Sequence, residues 1–148
     1  LVANDVKVTA GWEDAYTVDF TAGGGNGDRP IVLSYASSPP VTVPEGGDEP
    51  TTSALLDTCF RQVEYAGVLE GADEPEAAAK VVEFLLGEEF QAGLPDSMYV
   101  YPVRQGVELP ESWEQWAPPA KEPIEVDAAR IQENREDWLM RWSEATGQ

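Results

Sequence analysis

Three aromatic side chains beside turns are the residues of this sequence best suited to recognising a ligand. Trp12 stands at the start of a predicted helix, Tyr35 at the end of an apolar run, and Tyr99 in a short extended piece before Pro102. Ligands of open α/β proteins bind at the carboxyl ends of strands and at helix N-termini, where such residues are expected. Rings that share a cleft favour a flat cationic ligand, because a desolvated cation–π contact contributes on the order of 1 kcal/mol or more. Packing in the hydrophobic core is the competing interpretation of all three.

Two hydroxyl groups follow Tyr35 closely. Ser37 and Ser38 come directly before a pair of prolines. Their hydroxyls are suited to the polar contacts that fix a ligand's orientation. The alternative is a turn in which a serine hydroxyl bonds to nearby backbone and closes the strand.

The charge balance and the missing residue types exclude several classes of function. The 148 residues include nine Lys and Arg against 28 Asp and Glu, a formal net charge of −19. Such a field repels nucleic-acid phosphates and anionic membrane surfaces. The sequence has no histidine, which removes histidine-dependent catalytic triads, histidine-ligated zinc and histidine pH switches. We therefore expect no nucleic-acid partner and no metal site built on histidine.

The apolar patterns predict helices interleaved with short strands, and hence an α/β fold. Residues 31–35 are predicted to form a buried central strand, and Asp127 is a good N-cap for the last helix. Residues 59–69 favour a strand, with a helix as the competing assignment. The other predicted elements are a helix over residues 13–20, a helix over residues 75–90 that packs on a sheet, and a last helix that ends at Ala145.

Several short motifs occur in a fixed order along the chain. They are Gly11-Trp12-Glu13-Asp14-Ala15-Tyr16, Ile31-Val32-Leu33-Ser34-Tyr35-Ala36-Ser37-Ser38-Pro39, Gln62-Val63-Glu64, Phe90-Gln91 followed by Leu94-Pro95, Tyr101-Pro102-Val103, and a last set of Ile131, Arg135, Trp138 and Trp142. Over nearly the whole chain this set resembles the C-terminal half of the thiamine-binding solute-binding proteins of ABC importers.

The resemblance implies a part of a two-lobed, hinged α/β fold of the periplasmic-binding-protein type II class. Residues 1–58 are then expected to belong to the second lobe, and residues 59–148 to cross the hinge and return to the first lobe. The implied function is to bind thiamine or its phosphates in an interlobe cleft and to deliver them to an ABC permease. The resemblance therefore also implies a binding protein rather than an enzyme, with no cofactor and no metal site. The implied location is extracytoplasmic, either periplasmic or as a cell-surface lipoprotein.

The resemblance also assigns site residues by motif match. The family's ligand-contacting Trp falls on Trp12, and its binding segment at the end of a strand falls on residues 35–38, which include Ser37 and Ser38. Two positions depart from the family pattern. Val41 replaces an aromatic residue found in some members, and Tyr99 replaces a Trp, which is the better cation partner. The predicted ligand-binding set is therefore Trp12, Tyr35, Ser37, Ser38 and Tyr99.

Two other classes of function stay open at this point. The same fold could bind another solute, such as a different organic cation, a polyamine or a metal–anion complex, which the two departures would allow. The chain could also be a non-transport domain, either an interaction module or a hydrolase that uses a carboxylate pair. We further expect a dimer, or pairing with a chain that carries the upstream half. Cys59 is expected to pair with a cysteine upstream of Leu1, or to be a buried hydrophobic residue.

Overall fold

The computed structural model describes residues 1–24 and 26–147, whose regular secondary structure is almost entirely helical. An isolated parallel β-bridge joins Phe20 and Arg29, and the described residues form no longer strand pairing. The helices are α1 (Pro75–Leu85), α2 (Glu88–Met98), α3 (Glu111–Trp116) and α4 (Ala128–Thr146), with a π-helix over Asp14–Asp19 and 3₁₀ turns over Val2–Asn4, Pro39–Thr42 and Leu56–Thr58.

The chain divides into two compact units. The first unit consists of Leu1–Ser34 and Glu122–Gln148, and the second unit is the continuous segment Tyr35–Lys121. The first unit contains the π-helix and α4, whereas the second unit contains α1, α2 and α3. The assignment of residues 1–58 and 59–148 to two lobes stays a prediction.

Helix α4 begins where its local sequence predicts. Asp127 is the N-cap, and its carboxylate accepts hydrogen bonds from the backbone N–H groups of Ala129 and Arg130. These two donors have no intrahelical partner, and a capping carboxylate also interacts favourably with the positive end of the helix dipole. Gly147 ends the helix in the left-handed conformation that glycine adopts without strain.

The predicted helix over residues 75–90 is two helices in the structure. Helix α1 starts at Pro75, as expected from the fixed φ of proline at a first helical position. It ends at Leu85, and α2 begins at Glu88 and continues past Gly93 and Pro95. Pro95 is fully buried. The two helices contact each other.

The core of the second unit lies around α3. Trp113 and Ala117 are buried. The ring of Tyr101 meets Trp113 edge to face at a centroid distance of 5.2 Å, and its hydroxyl donates to the Ala117 carbonyl oxygen at 3.0 Å. Burial of this phenol, together with the nearby Cys59 thiol, raises the pKa of Tyr101 to about 12.

The prediction of a buried central strand at residues 31–35 is wrong for this structure. No strand forms there among the described residues, and the side chain of Leu33 is 91% exposed. Residues 59–69 form neither the predicted strand nor the competing helix, and Tyr65 and Leu69 are exposed. A strand needs a neighbouring strand for its backbone hydrogen bonds, and the described residues supply no such neighbour.

The chain exposes much more surface than folded domains of its size. Its accessible area is 11844 Å², whereas two separately folded units of these lengths together expose about 8,900 Å². Large apolar residues such as Leu33, Val63 and Leu69 contribute to the excess of roughly 3,000 Å². Within the described residues, no helix has the length and apolar character that crossing a membrane requires.

Candidate functional site

In the first unit, the π-helix stacks aromatic rings into a column. The Phe20 N–H donates to the Ala15 carbonyl oxygen five residues back, which widens the turn. The Trp12 and Tyr16 rings stack at 4.9 Å with an interplanar angle of 27°, and Tyr16 meets Phe20 at 5.5 Å. Phe20 is buried at the inner end, and burial raises the pKa of Tyr16. Trp12, at the outer end of this column, is 47% exposed.

The orientation of the Trp12 indole is set from two sides. One face lies on Tyr16, and the indole N–H donates to the Ser34 hydroxyl oxygen at 3.1 Å. Rotation of the indole would break either the stack or the hydrogen bond. A ring held in this way can form a cation–π contact without first losing much rotamer freedom.

The backbone beneath the column is close-packed. Gly23 lies against the Tyr16 carbonyl group so closely that a Cβ atom at this position would overlap it. An ion pair between the Lys7 ammonium and Asp19 (2.6 Å) ties the end of the π-helix to the N-terminal segment. These contacts hold the π-helix, which begins two residues after Trp12.

In the second unit, Tyr99 has an unusual backbone conformation. It is the C-cap of α2 and adopts φ 56° and ψ 32°, in the left-handed region. For a residue with a bulky side chain this conformation is strained, and glycine or asparagine normally occupies such a position. The Tyr99 side chain is 53% exposed. Strained backbone of this kind concentrates at functional sites.

Ser37 supports Tyr99 directly. Its hydroxyl donates to the Tyr99 carbonyl oxygen at 2.7 Å, and Ser37 itself is only 2% exposed. This bond was not foreseen from the sequence, because the two residues lie far apart along the chain. The motif that contains Ser37 therefore also stabilises the backbone of the predicted ring at position 99.

The turn that carries the other two predicted residues is regular. The Ser38 N–H donates to the Tyr35 carbonyl oxygen at 3.0 Å, and the Val41 N–H donates to the Ser38 carbonyl oxygen at 3.1 Å. Pro39 is buried and begins the 3₁₀ turn, which contacts α3. Tyr35 and Val41 are exposed. The turn therefore presents the Tyr35 ring at the surface of the second unit.

The predicted site residues are divided between the two units. Trp12 lies in the first unit, and Tyr35, Ser37, Ser38 and Tyr99 lie in the second. The structure brings Ser37 and Tyr99 into hydrogen-bond contact, and the turn joins Tyr35 to Ser38. That all five line one ligand site stays a prediction. No cluster of three potential metal-binding side chains occurs in the described part of the chain.

Comparison with known proteins links the chain to one group of relatives. It is 31% identical over 146 residues to the thiamine-binding periplasmic protein of Salmonella typhimurium, which covers 98% of this chain and 42% of the relative. The Escherichia coli protein of the same name is 30% identical over 146 residues with the same coverage. That of Brucella suis is 31% identical over 144 residues, covering 95% of this chain and 41% of the relative. No family model and no solved structure matches the chain.

These relatives confirm the resemblance found in the sequence motifs. They are named as binding proteins rather than enzymes, and as periplasmic, which supports an extracytoplasmic location. The chain spans about two-fifths of their length. It is therefore a homologue of the thiamine-binding periplasmic proteins over nearly all of its own residues.

Proposed function

We propose that the chain is part of the substrate-binding component of an ABC importer and binds thiamine or its phosphates in an interlobe cleft. The observation that carries this proposal is the homology to proteins named thiamine-binding over 98% of the chain. The same proposal includes the two-lobed α/β type II fold and delivery of the ligand to an ABC permease.

The chemistry of thiamine suits the proposed residues. Its thiazolium ring is a flat cation with a permanent charge, and aromatic faces attract such a cation through their quadrupoles. Trp12 supplies an oriented, half-exposed indole, and Tyr99 supplies a half-exposed phenol on a fixed backbone. The net charge of −19 adds a long-range attraction for a cationic ligand.

The roles of the remaining proposed residues follow from their positions. Tyr35 adds a third exposed aromatic ring, and Ser38 adds a hydroxyl in the same turn. Ser37 contributes through Tyr99, because its own hydroxyl is buried and donates to the Tyr99 carbonyl oxygen.

Tryptophan fluorescence tests the proposal. The experiment uses the full-length protein, meaning this chain together with the polypeptide that corresponds to the rest of the relatives' length. Thiamine at micromolar concentration should quench its tryptophan emission, and Trp12→Phe should remove most of the quenching. Trp142→Phe is the matched control, since Trp142 has the same exposed fraction as Trp12 but lies on α4. The proposal fails if thiamine causes no quenching, or if the two variants lose it equally.

A second candidate ligand class follows from the two departures from the family pattern. Val41 is exposed where an aromatic residue occurs in some family members, and Tyr99 offers a weaker cation partner than Trp. A different organic cation or a polyamine would need fewer aromatic walls than thiamine. In the same fluorescence assay, displacement of thiamine by such a cation at lower concentration would favour this candidate.

We also propose that the exposed apolar surface is covered by further polypeptide that corresponds to the rest of the relatives' length. An obligate dimer interface buries about 2,000–5,000 Å² in total, which is roughly 1,000–2,500 Å² for each copy. The excess area of roughly 3,000 Å² exceeds what one copy buries in most such dimers, which favours the longer polypeptide over a second copy. Mixing the 148-residue chain with the remaining polypeptide should give a complex. A monodisperse 148-residue monomer that unfolds cooperatively would contradict this.

A further inference from the structure

Outside the predicted site, the buried side chain of Gln91 forms hydrogen bonds through both its amide nitrogen and its amide oxygen. It is 4% exposed and lies on α2. Its amide nitrogen donates to the Leu85 carbonyl oxygen at 2.7 Å, at the end of α1. Its amide oxygen accepts from the Val103 N–H at 2.8 Å and from the Arg104 N–H at 3.4 Å. One side chain thus links the end of α1 to the segment that follows α2.

The segment from Tyr99 to Arg104 is consequently fixed at both ends. The Ser37 hydroxyl binds the carbonyl oxygen of Tyr99 at the first end, and Gln91 binds the backbone N–H groups at the other. Between them, the Tyr101 hydroxyl donates to the Ala117 carbonyl oxygen. The Arg104 guanidinium adds a bond to the Leu86 carbonyl oxygen at 3.2 Å.

This arrangement offers an explanation for the strained backbone of Tyr99. A left-handed conformation at a residue with a bulky side chain persists only when the surrounding contacts over-determine it. The chain leaves α2 at Tyr99 and must reach Val103 where the Gln91 amide oxygen holds it. With the path constrained at position 103 and the carbonyl group held at position 99, an ordinary right-handed exit at Tyr99 would send the chain elsewhere.

We propose that Gln91 is a positioning residue for the ligand-contacting ring of Tyr99, an inference that rests on the proposed function. Gln91 does not touch the ligand, because its side chain is buried and its amide is already bonded to three backbone groups. It acts by fixing the path of the backbone after α2. The orientation of Tyr99, and with it the affinity for the cation, follows from that path.

Two substitutions separate this role from a general contribution to stability. Gln91→Met keeps the length of the side chain but removes its three side-chain hydrogen bonds. Gln91→Glu keeps an acceptor for the Val103 N–H but cannot donate to Leu85 when ionised. Both variants should be less stable than the wild type, since each leaves a buried group without its partner. Only Gln91→Met releases the segment that carries Tyr99.

Thiamine affinity in the full-length protein, measured by calorimetry on folded samples, should fall about tenfold in Gln91→Met, the equivalent of about 1.4 kcal/mol. It should fall much less in Gln91→Glu. In a Tyr99→Ala background, Gln91→Met should have no further effect on affinity, because the ring through which it acts is gone. Thr52→Val is the control, since it breaks a partly buried hydrogen bond to Thr42 in the same unit without touching this segment.

The outcomes distinguish this inference from the proposed function. Absence of thiamine binding in the wild type overturns the proposed function. In that case the effect of Gln91 on the position of Tyr99 is measured from backbone amide signals instead of from affinity. Amide exchange at Val103 and the amide resonance of Tyr99 should change in Gln91→Met and stay near wild type in Gln91→Glu. The inference is overturned if these signals do not change. It is also overturned if Gln91→Met weakens binding equally with and without Tyr99.

Discussion

The two units hold their exposed aromatic rings by different means. In the first unit, Trp12 is fixed by side chains, with its ring stacked on Tyr16 and its indole N–H bonded to Ser34. In the second unit, Tyr99 is fixed by its backbone, which is left-handed and whose carbonyl group is held by Ser37. The first arrangement constrains the ring itself, whereas the second constrains the point from which the ring projects.

The difference predicts where each unit is sensitive to substitution. Trp12 should lose its orientation when a neighbouring side chain is shortened, while the backbone stays in place. Tyr99 should lose its orientation when a backbone anchor is lost, even one as distant in sequence as Ser37. If the proposed function holds, we expect the indole of Trp12 to supply more of the binding energy than the phenol of Tyr99.

The largest expected effect comes from removing the indole. In the full-length protein, Trp12→Ala should weaken thiamine binding by about 1–3 kcal/mol, through loss of the cation–π contact and of buried area. Tyr99→Ala should cost less, because phenol is the weaker cation partner. Calorimetric titration of both variants measures the difference, with Trp142→Ala as the control for an equally exposed indole.

Equal losses for Trp12→Ala and Tyr99→Ala would contradict the comparison between the two rings. Ser34→Ala sharpens it further. This variant removes the hydrogen bond from the indole N–H but keeps the stack on Tyr16. Its affinity for thiamine should therefore lie between that of the wild type and that of Trp12→Ala.

The next expected effect is smaller and concerns the free energy of unfolding of two variants at position 99. Tyr99→Gly should be more stable than Tyr99→Ala by about 1 kcal/mol, because glycine adopts a left-handed conformation without a Cβ penalty. Both variants lack the ring and should bind thiamine equally weakly. Denaturant unfolding measures the first statement and calorimetry the second. Equal stability of the two variants would show that Tyr99 is not strained.

The smallest effect at neutral pH concerns Tyr101, whose hydroxyl helps to hold the same segment. Its folded-state pKa of about 12 lies above the ordinary tyrosine value of about 10 because burial disfavours the phenolate. The neutral phenol therefore contributes stability that is present below pH 10 and is lost as the pH rises through about 12. Unfolding experiments across this range should show the loss in the wild type.

Tyr101→Phe should remove most of the decrease in the free energy of unfolding at alkaline pH. A residual slope is expected from Tyr16, whose pKa burial also raises. Tyr65→Phe is the matched control, since the Tyr65 side chain is 90% exposed, and its profile should follow the wild type. An unchanged profile in Tyr101→Phe would show that the buried phenol does not couple to folding.

Local signals in the sequence predicted the helices whose ends are set by their own residues. Asp127 caps α4 and Pro75 opens α1, as expected from the chemistry of these two residues. The break between α1 and α2 falls at Gly87, the N-cap of α2, where an added Cβ atom would lie 2.9 Å from the Phe84 carbonyl oxygen. This glycine is a local signal that the prediction of one helix over residues 75–90 did not use. The hydrogen bond from Gln91 to the Leu85 carbonyl oxygen, which bridges the break, depends on packing instead.

The predicted strands failed for a non-local reason. Residues 31–35 carry apolar side chains on both faces, a pattern typical of a strand inside a parallel sheet. Such a strand exists only beside neighbours, and the described residues provide none. The apolar pattern therefore indicates that the segment is suited to pair with neighbouring strands, and the described residues do not supply those strands.

For the candidate site, the sequence supplied a set of residues whose shared role stays a prediction. Its motifs selected Trp12 and Tyr99 as ligand-contacting rings, and both side chains are about half exposed in the structure. It assigned Ser37 to the ligand, whereas the structure places its buried hydroxyl on the Tyr99 carbonyl oxygen. It did not distinguish Gln91 within its motif, because the three backbone partners of that side chain are set by tertiary structure.

The π-helix over Asp14–Asp19 makes this segment a natural place for a change in chain length. A π-turn holds one more residue than the α-helical turn it replaces. An in-frame loss of one codon here, other than that of Tyr16, would close the turn as ordinary α-helix and leave Trp12 and Phe20 in roughly their present relative orientation around the axis. Loss or replacement of Tyr16 would instead break the ring column, because its ring contacts both Trp12 and Phe20. Sequence divergence among descendants of this protein should therefore include single-residue gaps in this segment that spare Tyr16.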